Sequence, residues 1–309
     1  MLGATKSLLL TGLADVWSAV QQESRRPGDR FGLILMVASA ACFALMAAIA
    51  KKLLPGVPMQ AVVFSRGLLM TATFVTLARI QGVPIVGSNP PMLLLRGLLG
   101  YAALSCYFWS VQHLPLGDAV LLQYSHPIFV AAIAPFLLHE ATGRWHWPLV
   151  VLAFAGVALI VGPAGEPRGP ALIGLTGSML SGFAYMAVRK LARTEHPLTI
   201  LVWFPLATIP LSFLATLRAG RAAIPRDGVE LLGHLLVFAS ALLGQLTLTQ
   251  GLARAGAARA TAVTMTGPVF GLLFGWLMFG TAPTAASLAG TAIVIGAVIL
   301  LARRAQTAP

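Results

Sequence analysis

Apolar residues fill this chain in ten long stretches, near 31–50, 59–78, 92–113, 116–138, 145–163, 170–190, 197–217, 229–252, 260–280 and 284–302. Each approaches the ~20 residues that an α-helix needs to cross the hydrocarbon of a bilayer. Polar punctuation separates them: Lys51-Lys52, Arg79 to Pro91, Leu114-Pro115-Leu116-Gly117, Gly162 to Pro170, Arg189 to Pro197 and Arg218 to Asp227. The pattern predicts an all-α polytopic membrane protein with ten transmembrane helices.

The pattern also repeats. Phe43-Ala44-Leu45-Met46-Ala47 returns 140 residues later as Phe183-Ala184-Tyr185-Met186-Ala187. Ser125-His126-Pro127-Ile128-Phe129 returns at 141 as Thr266-Gly267-Pro268-Val269-Phe270, and Ala155-Gly156-Val157 matches Ile295-Gly296-Ala297 at 140. The register holds along each half. Five spans is an odd number, so the two halves are expected to lie upside down relative to one another, as in many secondary transporters. The expected units are an N-terminal segment (1–30), a first repeat (31–163), a second repeat (170–302) and a tail (303–309).

Composition agrees with the bilayer reading: 58% of residues are hydrophobic, 10% are charged and mean hydropathy is +0.85, against about 25% charged in soluble domains. With the N-terminus inside, thirteen basic residues fall on the cytoplasmic side, from Lys6 to Arg304, and six on the other: Lys51, Lys52, Arg168, Arg218, Arg221 and Arg226. Positive loops stay in the cytoplasm, so a multi-pass inner-membrane protein with both termini cytoplasmic is expected. The net charge of +12 is then a topology signal, with lipid headgroups as its anionic neighbours. A nucleic-acid surface is not expected, because no soluble domain presents a basic cluster.

Residues 1–30 admit two readings. Leu9, Leu13, Val16, Trp17 and Val20 share a helical face, which suits an interfacial amphipathic helix; the alternative is a mobile leader. Asp15 interrupts the apolar run that a signal peptide would need. Cys42 and Cys106 both fall inside spans and read as small packing residues.

Several motifs carry a family resemblance. Arg96-Gly97-Leu98-Leu99-Gly100, Tyr107-Phe108-Trp109-Ser110-Val111 leading into Leu114-Pro115-Leu116-Gly117, then Pro127-Ile128-Phe129 and Glu140, together resemble the first EamA unit of the drug/metabolite transporter superfamily. Residues 170 to 302 resemble the second. The resemblance implies a transporter with a central cavity between spans 1 to 4 and 6 to 9, spans 5 and 10 being peripheral, and it leaves the substrate open. Family members often end spans 4 and 9 with a Gly-Glu pair; this chain has His139-Glu140 and Gly280-Thr281. Glu140 therefore reads either as one half of a gate, facing a basic residue such as Arg144, or as an interfacial charge.

Ionisable groups inside spans point to function, since each costs at least ~2.5 kcal/mol to insert and is kept where a wet cavity or partner receives it. Arg66 lies roughly 10 Å into span 2 at 1.5 Å per residue, and His126 lies near the middle of span 4. Arg66 offers a planar fork for a carboxylate or phosphate, or it ties helix backbones together. His126 reads a substrate or carries a proton, or it is a neutral ring bonded to a neighbouring helix. Arg96, four residues into span 3, is expected to snorkel to the interface. Gln123 shares a face with His126, and their repeat counterparts are Thr264 and Gly267.

Pro127 and Pro268, placed mid-span, are expected to kink spans 4 and 9. Gly267, Gly271 and Gly275 form a stripe suited to close packing or to sliding. Tyr101, Trp109, Tyr185 and Trp203 are candidate walls, with Gln245, Thr249 and Gln250 as hydrogen-bonding groups. No Asp or Glu lies mid-span, so neither a carboxylate ion site nor a cationic substrate is expected. Neither a metal site nor a phosphate-cradling loop is legible, and no cofactor is expected.

These readings converge on a transporter of a small anionic or zwitterionic, amino-acid-like metabolite, working by alternating access and exporting its substrate. The substrate-binding set is Arg66, Trp109, Gln123, His126, Tyr185, Gln245, Thr249 and Thr264. The alternatives are a flippase for a lipid-linked substrate and, third, a polytopic membrane enzyme, which would need clustered acids or histidines near the interface. A duplicated chain contains both halves of the cavity, so a monomer is expected.

Overall fold

The computed structural model describes residues 30–53, 55–138, 144–161, 168–220, 225–254 and 263–304. Residues 1–29 of the N-terminal segment, Glu140 and the last five residues lie outside this set. Eleven helices follow one another among the described residues: α1 Arg30–Leu53, α2 Met59–Ile80, α3 Pro90–His113, α4 Leu116–Tyr124, α5 His126–Leu138, α6 His146–Val161, α7 Arg168–Leu191, α8 Pro197–Arg218, α9 Gly228–Arg254, α10 Gly267–Phe279 and α11 Ala285–Arg304. Seven helical segments are long and apolar enough to cross a membrane, α4 and α5 counting as one. Three shorter apolar helices stand at the fifth, ninth and tenth spans.

Their packing carries the signature of a duplicated bundle. α2 lies on α8, α4 on α10 and α6 on α11, each helix against its own repeat counterpart. α1 lies on α9 while α3 lies on α7, two pairings that exchange when the halves exchange. A two-fold relation between five-helix halves produces this set. Lipid supplies no hydrophobic drive between helices, so small residues must bring backbones close. A Cβ on Gly97 would come within 3.0 Å of Trp203 O, one on Gly177 within 3.1 Å of Ala103 O, and one on Gly156 within 3.1 Å of Gly290 O. Side-chain hydrogen bonds add to this: Ser39 Oγ donates to Gly244 O at 2.8 Å, joining α1 to α9.

The fourth span is interrupted where a kink was expected. α4 ends at Tyr124, Ser125 takes up φ −77°, ψ −6°, and α5 begins at His126. Pro127 is thus the second residue of a new helix, where its missing N–H is no loss. Pro268 stands likewise in the first turn of α10, after the N-cap Thr266. Both prolines start helices instead of bending them.

Each end of the bundle is tied by polar contacts. At one end Lys51 Nζ donates to Val111 O and Leu114 O, and Lys52 Nζ to Met278 O. At the other, the α2–α3 loop is pinned by three residues of the second half. Thr199 Oγ1 donates to Pro84 O at 2.7 Å and Trp203 Nε1 to Ile85 O at 2.8 Å. Glu195, 8% exposed, accepts from Ser88 N, Ser88 Oγ and Asn89 N. Gly87 makes room for this carboxylate: its φ is +73°, and a Cβ there would come within 2.7 Å of Glu195 Oε2.

Candidate functional site

Two arginines from the first half converge on one ring of the second. Arg66 on α2 is 3% exposed, and its guanidinium carbon lies 5.7 Å from the centroid of Phe204 on α8. The guanidinium carbon of Arg96 on α3 lies 4.4 Å from the same centroid. Both are within the ~6 Å at which a ring quadrupole attracts a cation. The expectation that Arg96 snorkels is therefore corrected. Its direction has a local cause in Gly100, one turn further along α3, where a Cβ would come within 2.6 Å of both Arg96 Nη1 and Phe204 Cδ2. The missing side chain opens the space into which the guanidinium folds.

The pair is uncompensated within the described protein. Arg66 Nε and Arg96 Nε and Nη1 are buried without a hydrogen-bond partner. The described carboxylates are engaged elsewhere: Asp118 with Ser287 Oγ, Glu195 with Ser88 and Asn89, Asp227 with Glu230 N, and Glu230 with Arg226 N. Two unit charges within ~10 Å of one another at an effective dielectric of ~20 repel by at least about 1.5 kcal/mol. Cation–π attraction to a shared ring recovers ~1–2 kcal/mol of this and satisfies no N–H group. Buried donors without an acceptor are what an anionic group can satisfy.

A second cluster adjoins the first. The His126 imidazole on α5 lies parallel to the Tyr185 ring on α7, with centroids 4.6 Å apart and planes 6° apart. Tyr185 is 46% exposed although its ring is stacked on one face. His126 Nδ1 is 3.0 Å from Gln123 O. A carbonyl only accepts, so Nδ1 carries the hydrogen and Nε2 of the neutral ring is left as an acceptor. Gln123 Nε2 donates to Ser181 Oγ at 2.9 Å, while Gln123 Oε1 is buried without a partner. The Tyr124 ring is tilted against His126 at 6.4 Å.

The other sequence candidates stand apart. Trp109 follows Arg96 by thirteen residues, about 220° round the helix at 3.6 residues per turn, and stacks on His113 at 3.9 Å. Thr249 Oγ1 donates back to Gln245 O at 2.8 Å within α9. Thr264 and Gln245 are half-buried. Tyr101 donates to Gln60 Oε1, and Trp203 anchors the α2–α3 loop. Among the described residues no three His, Cys, Asp or Glu side chains lie close enough together to hold a metal. Sequence reasoning missed Phe204, which looks like any aromatic in an apolar span, and the inward turn of Arg96, whose available signal was Arg96-x-x-x-Gly100.

Comparison with known proteins adds four findings. The EamA-like transporter family matches residues 30–162 and 169–303. The chain is 30% identical over 278 residues to the pseudopaline exporter CntI of Pseudomonas aeruginosa, covering 88% of this chain and 96% of that protein. It is 28% identical over 211 residues to a riboflavin transporter of Rhizobium johnstonii, covering 68% and 69%. A crystal structure with 21% identity superposes at a TM-score of 0.64 over 89% of this chain and 98% of the other, a likeness of fold.

Proposed function

The chain belongs to the EamA-like transporter family, and from that premise we propose that it carries a small anionic or zwitterionic organic metabolite out of the cell by alternating access. It is a multi-pass membrane transporter; substrate, direction and orientation are the parts proposed. The observation that carries the substrate class is the Arg66–Phe204–Arg96 arrangement, two buried cations with no carboxylate partner among the described residues. The fork of Arg66 receives an acidic group, while the Nε2 acceptor of His126 and the hydroxyl of Tyr185 receive donors such as an amine.

Export is favoured by the likeness to CntI, itself named an exporter, and the basic-residue asymmetry supports an inner-membrane protein with both termini cytoplasmic. The protein is proposed to work as a monomer without catalysing a chemical step, with lipid and substrate as its partners. Opening and closing is assigned to the interrupted fourth span and its smooth contact with α10. There Gly271 lies against Val120 and Gly267 against the Tyr124 ring.

The test is counterflow in proteoliposomes with labelled amino acids, organic acids and nucleotides, comparing the wild type with Arg66→Ala and His126→Ala. Movement of an acidic compound, abolished by Arg66→Ala in a protein that still folds, supports the reading. Failure of every water-soluble anion, with labelled lipid changing leaflet, would replace it with the flippase reading.

A further inference from the structure

We infer that the site selects substrates with two acidic groups, Arg96 being the residue that reads the second; this rests on the anion reading above and narrows it. A single carboxylate has two oxygens and is saturated by one guanidinium fork. Arg66 alone suffices for that. The structure supplies a second guanidinium from a different helix, folded over Gly100 onto the same ring, and it has more unpartnered nitrogen than the first: Nε and Nη1 on Arg96 against Nε on Arg66. A monoacid bound at Arg66 leaves these two buried donors unsatisfied and one positive charge uncompensated. A diacid neutralises both charges and supplies acceptors to both forks.

The geometry also limits size. The two guanidinium carbons lie 5.7 and 4.4 Å from one centroid, so a single short skeleton reaches both. Phe204, within cation–π reach of both, offers an apolar ring beside that skeleton. Arg66 and Arg96 come from the first half and Phe204 from the second, so such a substrate is held across the two halves that must move against one another. The repeat counterparts of the arginines, Leu206 and Leu236, carry no charge. The diacid subsite is therefore single and asymmetric within the two-fold bundle.

The experiment uses the full chain in proteoliposomes and compares matched pairs that differ by one negative charge at equal size: glutamate with glutamine, aspartate with asparagine, succinate with succinamate. The expected result is a preference of about tenfold or more for the diacid of at least one pair, the order expected from one added charge-assisted hydrogen-bonded contact. Arg96→Gln is expected to bring that ratio towards one, with Arg96→Lys restoring it in part.

Two results would overturn the inference: monoacids moving as well as their diacids in the wild type, or Arg96→Gln lowering both members of a pair by the same factor. The wild-type ratio decides even where the variant does not fold. If no member of any pair moves while another organic anion does, the present inference fails alone, and if no organic anion moves at all, the anion reading fails with it. If monoacids move without a diacid preference, only the present inference fails.

Discussion

His126 and Tyr185 stack face to face across the two repeats, 4.6 Å apart and 6° from parallel. One ring opens the second helix of the broken fourth span, and the other sits where the first repeat has Leu45. The stack joins the proline break of the first repeat to the second repeat, so the two residues are expected to act as a unit. His126→Ala and Tyr185→Leu should each lower transport, and the double variant should lose less than the product of the single losses, since neighbours in contact couple by ~0.5–3 kcal/mol. Tyr185→Phe keeps the stack and loses only the hydroxyl, so it should lower transport less than Tyr185→Leu. Transport kinetics on the four proteins of the cycle decide the point, and strictly multiplicative losses would show the rings to be independent.

Arg66 is expected not to tolerate lysine. A guanidinium pairs with a carboxylate through two parallel donors, whereas an ammonium is a strongly hydrated point charge that loses more on burial. At 3% exposure this difference is felt in full. Arg66→Lys should raise KM at least tenfold, the order of one charge-assisted hydrogen bond at ~1.5–3 kcal/mol. A KM within twofold of the wild type would mean that Arg66 supplies only general positive potential.

Much of this architecture could be read before any coordinates. The 140-residue register and the odd span count were visible because membrane spans must be apolar and continuous and because duplication leaves its pattern. Arg66 and His126 stood out by the same logic, as polar groups where insertion is costly. What stayed hidden depends on which way a side chain turns. Arg96 turns inward because Gly100 leaves a space one turn away, Trp109 turns away because it is on the opposite side of α3, and Trp203 is spent on a loop carbonyl. Phe204 carried no mark at all, since an apolar span is full of aromatics and only the tertiary fold brings two cations to this one.

The glycine stripe of α10 gives a packing prediction with an internal control. A Cβ at Gly271 would come within 2.7 Å of Val120 Cβ, whereas one at Gly296 on α11 meets nothing within 4 Å. Gly271→Ala should therefore destabilise by ~1–3 kcal/mol through overpacking. Gly296→Ala should be neutral or stabilising by up to ~1 kcal/mol through helix propensity. Thermal unfolding in detergent measures both, and equal shifts would remove the close α4–α10 contact from the account.

Glu195 provides a pH prediction outside the spans. The Ser88 hydroxyl, followed by the backbone N–H groups of Asn89 and Ser88, holds its carboxyl below the ordinary value of 4.5. A depressed folded value means that the ionised form is favoured by folding. Its contribution is then fully present above the ordinary glutamate range and is lost as pH falls through the folded value. Glu195→Gln should lower the melting temperature at pH 7, and the gap to the wild type should close as the pH is taken below 4.5. A gap that stays constant down the acid range would mean that the carboxylate charge contributes nothing to holding the α2–α3 loop.

The lysines at the opposite end differ in kind although they are adjacent in sequence. Lys51 is half-buried and donates to Val111 O at 2.8 Å and to Leu114 O at 2.5 Å, carbonyls where α3 ends and the negative end of its dipole lies. A cation so placed contributes up to ~2 kcal/mol when partly buried. Lys52 is exposed; it donates to Met278 O at 3.0 Å and lies 5.6 Å from the Phe279 ring. In water an exposed contact of that kind is worth well under ~1 kcal/mol. Lys51→Met should therefore lower the melting temperature several times more than Lys52→Met. Lys52, which reaches from the first half to the second, should instead affect how readily this end opens and so alter the transport rate at nearly unchanged stability. Melting curves and initial rates on the two variants separate these roles, and a larger stability loss for Lys52→Met would mean that the cross-repeat contact, and not the α3 terminus, secures this end of the bundle.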